Sequence, residues 1–93
     1  MPAFMITYDL QAPDKNYPKL SEAIKKNYPR YWNMLGSVWM INFDGKTSQI
    51  RDTLKNYIDS NDNLIVVALT GESSWTGPKF IEHADWLKKT LNG

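Results

Sequence analysis

Residues 4–10, Phe4-Met5-Ile6-Thr7-Tyr8-Asp9-Leu10, decide how this chain folds. Large side chains alternate along the stretch between two faces, and this period of two predicts a β-strand. Both faces are largely apolar, which is typical of a central strand covered on two sides. The stretch ends on a carboxylate, so Asp9 is expected at the carboxyl end of a central strand, where ligands of βα proteins bind.

The first half of the chain continues with a helix and a hairpin. Asn16 is predicted to cap the helix, and Pro18 to lie in its first turn. Two β-rich runs, residues 30–35 and 38–43, then flank Gly36-Ser37, which is typical of an antiparallel hairpin. The second run has large apolar residues on both faces and is predicted to be another central strand.

The second half is predicted to hold a helix, a strand and a last helix. Thr47 or Ser48 is expected to cap the first of these, because apolar residues recur at helical spacing after them. Residues 64–70 are almost wholly apolar and rich in β-branched residues, and they predict a buried strand. Pro78 is expected to begin the C-terminal helix.

The order of these elements defines the expected fold. It is βαββαβ followed by a C-terminal helix, and two right-handed βαβ crossovers joined by a hairpin give a ferredoxin-like arrangement. The sequence therefore predicts an α+β protein with a four-stranded antiparallel sheet in which the first and third strands are central. No repeat or linker interrupts residues 1–93, which are expected to form a single domain.

Composition narrows the class of protein. Zero cysteines exclude disulfides and thiolate chemistry, and no apolar run approaches the ~20 residues of a membrane span. We therefore expect a cytoplasmic protein that does not enter a membrane. Four tryptophans are many for one small core, which favours a homodimer that covers some of them. The net charge of +1 lacks the basic excess typical of nucleic-acid-binding proteins.

Short motifs along nearly the whole chain resemble one family. They are Ile6-Thr7-Tyr8-Asp9-Leu10, Asn16-Tyr17 with Leu20 and Ala23-Ile24, Ser37-Val38-Trp39, Ser60-Asn61-Asp62 before Leu64-Ile65-Val66-Val67, and Thr70-Gly71-Glu72 with Trp75. Together they make the chain similar to the ferredoxin-like small-nuclease superfamily that contains the second CRISPR-associated protein and the virulence-associated D toxins. Within it, the chain resembles the SinR-like branch. It departs from the CRISPR-associated branch at Asn33, where that branch carries an arginine.

The resemblance implies an activity and a site. In that superfamily two subunits pair so that their strand-one aspartates face each other, and the pair is proposed to hold one divalent metal ion and cleave phosphodiesters. For this chain, the resemblance implies that Asp9 is the catalytic residue and the Mg²⁺ ligand of a homodimeric endonuclease acting on RNA or DNA. Mg²⁺ prefers hard oxygen ligands and keeps several waters, so two carboxylates across a twofold axis suffice.

The residues alone leave the role of Asp9 open. Its carboxylate is either a metal ligand or a cap for backbone N–H groups in the loop after strand one. Thr7 and Asn42 are the polar residues expected to approach it across paired strands. His83 is the only histidine, and without a second histidine or a cysteine it builds no transition-metal site.

Five cations fall within one 16-residue stretch whose only acid is Glu22. They are Lys15, Lys19, Lys25, Lys26 and Arg30. Because aromatic residues are interleaved, the stretch is predicted either to follow a phosphate backbone or to form a solvated helix face. Arg30 is also a candidate to replace, in space, the arginine that the CRISPR-associated branch carries.

Three functions remain open at this point. The first is the metal-dependent endonuclease, and the second is a non-catalytic nucleic-acid-binding or assembly module of the same fold. The third is a regulatory sensor that binds a small ligand in the cleft beside Asp9.

Overall fold

The computed structural model describes residues 2–11, 13–78, 80 and 83–91. Within them, the strands are β1 (Ala3–Asp9), β2 (Tyr31–Leu35), β3 (Val38–Asn42) and β4 (Asn63–Ala68). The helices are α1 (Pro13–Asn27), α2 (Thr47–Leu54) and α3 (Ala84–Leu91), and a 3₁₀ turn over Lys55–Tyr57 follows α2.

The four strands form one antiparallel sheet in the order β2-β3-β1-β4. β1 and β3 are central, as the large side chains on both faces of these runs predict. β2 and β3 form the predicted hairpin, and Gly36 in its turn has φ of 50°, a left-handed conformation open to glycine at little cost. The predicted α+β class, the four-stranded antiparallel sheet and the helix after the last strand are confirmed.

One face of the sheet packs against α1 and α2. The buried core on this side includes Phe4, Ile6, Tyr8, Leu20, Ile24, Trp39, Ile41, Ile50 and Leu54. Trp39 is only 1% exposed, and its indole Nε1–H donates to the Tyr8 hydroxyl at 2.8 Å. The largest buried side chain therefore has its polar atom satisfied. Burial raises the pKa of the Tyr8 hydroxyl above its ordinary value of about 10.

The opposite face of the sheet is covered at one end only. There the C-terminal segment packs on the sheet, in a second cluster that contains Ala3, Trp32, Met40, Leu69, Trp75, Phe80, Trp86 and Leu87. The rings of Trp32 and Phe80 lie 5.4 Å apart. Three of the four tryptophans thus belong to this second cluster, so the number of tryptophans by itself does not require a partner subunit.

The predicted starts of the first two helices are wrong. α1 begins at Pro13, so Asn16 and Pro18 lie inside the helix. Proline suits the first helical position because its fixed φ is already helical and its missing N–H has no partner there. Thr47 is the first residue of α2, so neither Thr47 nor Ser48 is the cap.

A glutamine side chain closes the N-terminus of α2 instead. The N–H of Lys46 donates to Oε1 of Gln49 at 2.7 Å. Gln49 reaches back over Gly45, where an added Cβ would collide with that same Oε1 atom and with the Phe43 ring. A local capping-box contact, made by a side chain three residues into the helix, therefore replaces a hydroxyl cap at this N-terminus.

The strand predicted over residues 64–70 is present, but the prediction that it is buried is wrong. β4 ends at Ala68 and is an edge strand, with Ile65 56% and Val67 37% exposed. An apolar run predicts burial on both faces only if elements cover both faces. At β4 the helices cover one face, and the C-terminal segment packs at the far end of the other.

Candidate functional site

Asp9 is the last residue of β1 and is exposed. Its direct neighbour in the sheet is Asn63, the exposed first residue of β4, and two residues earlier Thr7 pairs with Ile65. These residues, with Tyr8 and Leu64, line an open groove of about 340 Å³. The sequence therefore located Asp9 correctly at a ligand-accessible end of a central strand.

The loop after β1 is held by an aspartate other than Asp9. The N–H of Gln11 donates to Oδ1 of Asp62 at 2.7 Å, and the N–H of Asp59 donates to Oδ2 of the same carboxylate at 2.7 Å. Among the side chains that the structure describes, none forms a hydrogen bond or an ion pair with the Asp9 carboxylate. In the described part of the structure, Asp62 rather than Asp9 therefore accepts the backbone N–H group that follows β1.

Sequence reasoning missed Asp62. The run Asp59-Ser60-Asn61-Asp62-Asn63 does predict a turn, because these residue types favour turns. Its partner Gln11, however, lies 51 residues away along the chain, and no local pattern predicts such a contact. The Asp62 carboxylate thus ties the exit of β1 to the connection that precedes β4, and both flank Asp9.

An uncovered apolar surface lies beside Asp9. We call it the open half-face; it consists of Met5, Thr7, Val38, Ile65 and Val67, which the strand register places on one side of the sheet. These side chains are half-buried or exposed. The C-terminal segment packs around Ala3, at the other end of β1. The second cluster, to which it belongs, contains none of the five residues of the open half-face.

Two residues expected near Asp9 are far from it. Asn42 pairs with Ala3, which is six residues before Asp9 and therefore roughly 20 Å away along the strand. The Arg30 carbonyl accepts the Asn42 N–H at 3.0 Å, so Arg30 lies at that same distant end. Of the two polar residues expected to approach Asp9, only Thr7 does so.

The cations of the basic stretch are spread along α1. Lys19, Lys25, Lys26 and Arg30 are exposed, and the side chain of Lys15 lies outside the described part of the structure. α1 has 15 residues and is therefore roughly 22 Å long. Lys25 and Lys26 are in its last turn, next to Arg30, at the end of the sheet opposite Asp9. The fold thus separates the main cation group from the candidate catalytic residue.

The other two singled-out side chains serve the fold. Asn33 donates from Nδ2 to the carbonyls of Gly36 at 2.8 Å and Val38 at 2.9 Å, so it stabilises the β2–β3 turn. His83 is half-buried, and its N–H donates to the Phe80 carbonyl in the C-terminal segment. Because Phe80 packs on Trp32, this histidine belongs to the second cluster's side of the molecule.

The oxygen donors around Asp9 fit a hard divalent cation only if two chains contribute. Within the described ranges, no three His, Cys, Asp or Glu side chains come together as a metal-binding group. One chain offers the Asp9 carboxylate and, on the neighbouring strand, the Asn63 amide. Mg²⁺ accepts such ligands together with water, but a single carboxylate holds it weakly. A second copy of the chain would supply another Asp9 carboxylate and another Asn63 amide.

No protein-family model matches this chain, and no curated protein or solved structure is significantly similar to it. Along the described residues, the helices are all too short or too polar to cross a bilayer.

Proposed function

We propose that this chain is the subunit of a homodimeric, Mg²⁺-dependent endonuclease that acts on RNA or DNA in the cytoplasm, with one Asp9 from each subunit at the site. The observation that carries the proposal is the exposed Asp9 carboxylate, without a partner among the described side chains, at the edge of the open half-face. The proposal includes a ferredoxin-like subunit, which the βαββαβ order and the antiparallel β2-β3-β1-β4 sheet support.

Face-to-face pairing of two subunits follows from the shape of this surface. The open half-face places Ile65 and Val67 in water, and covering them with a second copy removes apolar area worth about 25 cal/mol per Å². An interface about a twofold axis on this surface joins identical patches, as most homodimers do. The two Asp9 carboxylates approach one another when the twofold axis passes close to the Asp9 rim of the patch, and the proposal places the axis there.

The residues have separable tasks in this assembly. Asp9 of each subunit and the Asn63 amide would hold the ion, which when bound activates a water and neutralises charge on phosphoryl oxygens. Asp62 fixes the backbone directly after Asp9 through the Gln11 N–H. The apolar side chains of the open half-face exclude water from the space between the subunits, which strengthens the electrostatic interactions there.

Cleavage assays with an isosteric pair of variants test the proposal. Wild type, Asp9→Asn and Asp44→Asn are incubated with single- and double-stranded RNA and DNA, in Mg²⁺, Mn²⁺ or EDTA. Asp44 is an exposed aspartate in the turn after β3, so its variant controls for loss of one negative charge. We expect metal-dependent cleavage in wild type and Asp44→Asn and at least about a hundredfold loss in Asp9→Asn. Equal rates in all three would refute the role of Asp9.

A non-catalytic nucleic-acid-binding module is the second candidate, and the exposed cations at the far end of α1 favour it. In that case replacing Lys25 and Lys26 with glutamine weakens binding and flattens its dependence on salt. Asp9→Asn would leave the same binding unchanged. Unaltered affinity in the lysine variant would exclude this patch as a binding surface.

A further inference from the structure

The outer edge of β4 has unpaired backbone groups, and the register identifies them. Leu69 donates its N–H to the Ala3 carbonyl at 3.0 Å, so this is a hydrogen-bonded pair of the antiparallel ladder. Such pairs alternate along a ladder. The N–H and C=O groups of Ile65 and Val67 therefore face β1. Those of the intervening residues, Leu64, Val66 and Ala68, point away from the sheet.

This edge lacks the features that normally prevent pairing with another strand. Exposed edges usually carry lysine, proline or a bulge, whereas Asn63–Ala68 contains no charge, no proline and no register shift against β1. The opposite edge, β2, does have an irregular register, between Trp32 and Leu35. The β2 edge therefore has an irregularity that hinders pairing with another strand, whereas the β4 edge has none.

The outer side of β4 is not closed by α2. An open groove of about 180 Å³ separates Leu64–Val66 from Thr47, Ser48 and Arg51 of that helix. In the part of the chain that the structure describes, only β1 pairs with β4. The outward backbone groups are thus accessible as well as unpaired.

We infer that β4 pairs antiparallel with β4 of a second copy, about a twofold axis that passes between the two Val66 residues. In this register Val66 faces Val66 of the second copy, and Leu64 faces Ala68 of the second copy. Each of the three outward-facing residues of one strand then lies opposite an outward-facing residue of the second copy. These three pairs form two backbone hydrogen bonds each, six in all. Antiparallel registers shifted along the strand use fewer of these residues, so this register allows the most hydrogen bonds between the two strands.

The side chains fit the same register. Ile65 comes to lie beside Val67 of the second copy, on the face where both are exposed, and the axis repeats the pair. No charged side chain of β4 opposes its own copy. A second copy is therefore the partner that this edge matches in both its backbone and its side chains.

This edge contact is distinct from the face-to-face pairing proposed for the endonuclease. Three strand spacings across the sheet and six residues along it would separate the two Asp9 residues by about 25 Å, too far to share an ion. The edge contact buries less than the ~1,600 Å² of a standard interface and is expected to depend on concentration. If the two twofold axes intersect at right angles, both contacts together generate a closed four-subunit assembly.

Disulfide trapping tests the edge contact, because the chain has no cysteine and any disulfide must join two chains. Val66→Cys places two thiols on the axis, where the Cα atoms of a hydrogen-bonded pair are about 5.5 Å apart, within disulfide range. Ala68→Cys is the control: its side chain is exposed and lies outside the open half-face, but the edge pairing puts its Cα atoms roughly 14 Å apart, beyond that range. We expect Val66→Cys to cross-link at least about tenfold faster than Ala68→Cys.

Removal of one outward-facing backbone N–H group provides an independent test of the edge contact. Val66→Pro removes an N–H that points outward, so it leaves the pairing with β1 intact, whereas Val66→Thr keeps the N–H and the side-chain shape. Sedimentation of the full chain should show reduced assembly for Val66→Pro only. Cross-linking of Ala68→Cys as fast as Val66→Cys would overturn the inference. Neither result depends on cleavage, so the edge contact and the role of Asp9 succeed or fail separately.

Discussion

Removal of the Asp62 carboxylate is the perturbation whose size the structure determines most directly. Asp62→Ala deletes the acceptor of two backbone N–H groups, those of Gln11 and Asp59, each bound at 2.7 Å. Both N–H groups are accessible to water in the variant, so each bond contributes only about 0.5–1 kcal/mol. The expected loss is therefore about 1–2 kcal/mol in the free energy of unfolding. For a domain of this size that lowers Tm by roughly 4–16 °C.

Three variants with different expected losses of stability test this prediction. Asp62→Asn keeps one oxygen acceptor and should lose about half as much stability as Asp62→Ala. Asp44→Ala, at an exposed turn position, should change stability by less than about 0.5 kcal/mol. Urea denaturation followed by circular dichroism measures all three, and hydrogen exchange at the Gln11 amide should accelerate in the order wild type, Asn, Ala. If the Asn and Ala variants were equally stable, or Asp62→Ala matched Asp44→Ala, the double hydrogen bond would not explain the order of this loop.

Two further predictions concern the helix-covered core. Burial raises the pKa of the Tyr8 and Tyr28 hydroxyls above their ordinary value, so the folded state favours the neutral phenols. The contribution of these two groups to the free energy of unfolding is therefore constant below about pH 10 and is lost as the pH rises above it. Denaturation at pH 8 to 11 should show this loss, and the dependence should be shallower in Tyr8→Phe. Gly45→Ala should cost about 1–3 kcal/mol, because its Cβ collides with the ring of Phe43, which packs against the core, as well as with the Gln49 side chain. A Gly45→Ala protein as stable as wild type by urea denaturation would contradict that contact.

The fold was largely predictable because its signals are periodic and local. Alternation in β1 and β3 predicted two central strands, and Gly36-Ser37 predicted the hairpin between β2 and β3. What local patterns do not contain is the position of covering elements. β4 has the composition of a buried strand yet lies at an edge. The closure of α2 by Gln49 is a local contact across three residues, and the search for a hydroxyl cap missed it.

The candidate site was predictable at one residue and not beyond it. A carboxylate that ends a central strand must lie at the sheet's end, so Asp9 was located from the sequence alone. Its surroundings depend on strand register and on loop contacts between distant residues. The register brings Asn63 beside Asp9 and carries Asn42 to the other end of the sheet. A contact across 51 residues then makes Asp62 the anchor of the loop.

Incomplete coverage of one sheet face connects the two proposed contacts. The C-terminal segment places three tryptophans over the Ala3 end and leaves the Asp9 end to solvent. Ile65 belongs to the open half-face and also lies on the edge strand β4, and its side chain is 56% exposed. One side chain therefore takes part in both the face-to-face and the edge-to-edge pairing. A charge at this position, as in Ile65→Lys, should weaken both contacts, whereas Val66→Pro should weaken the edge contact alone.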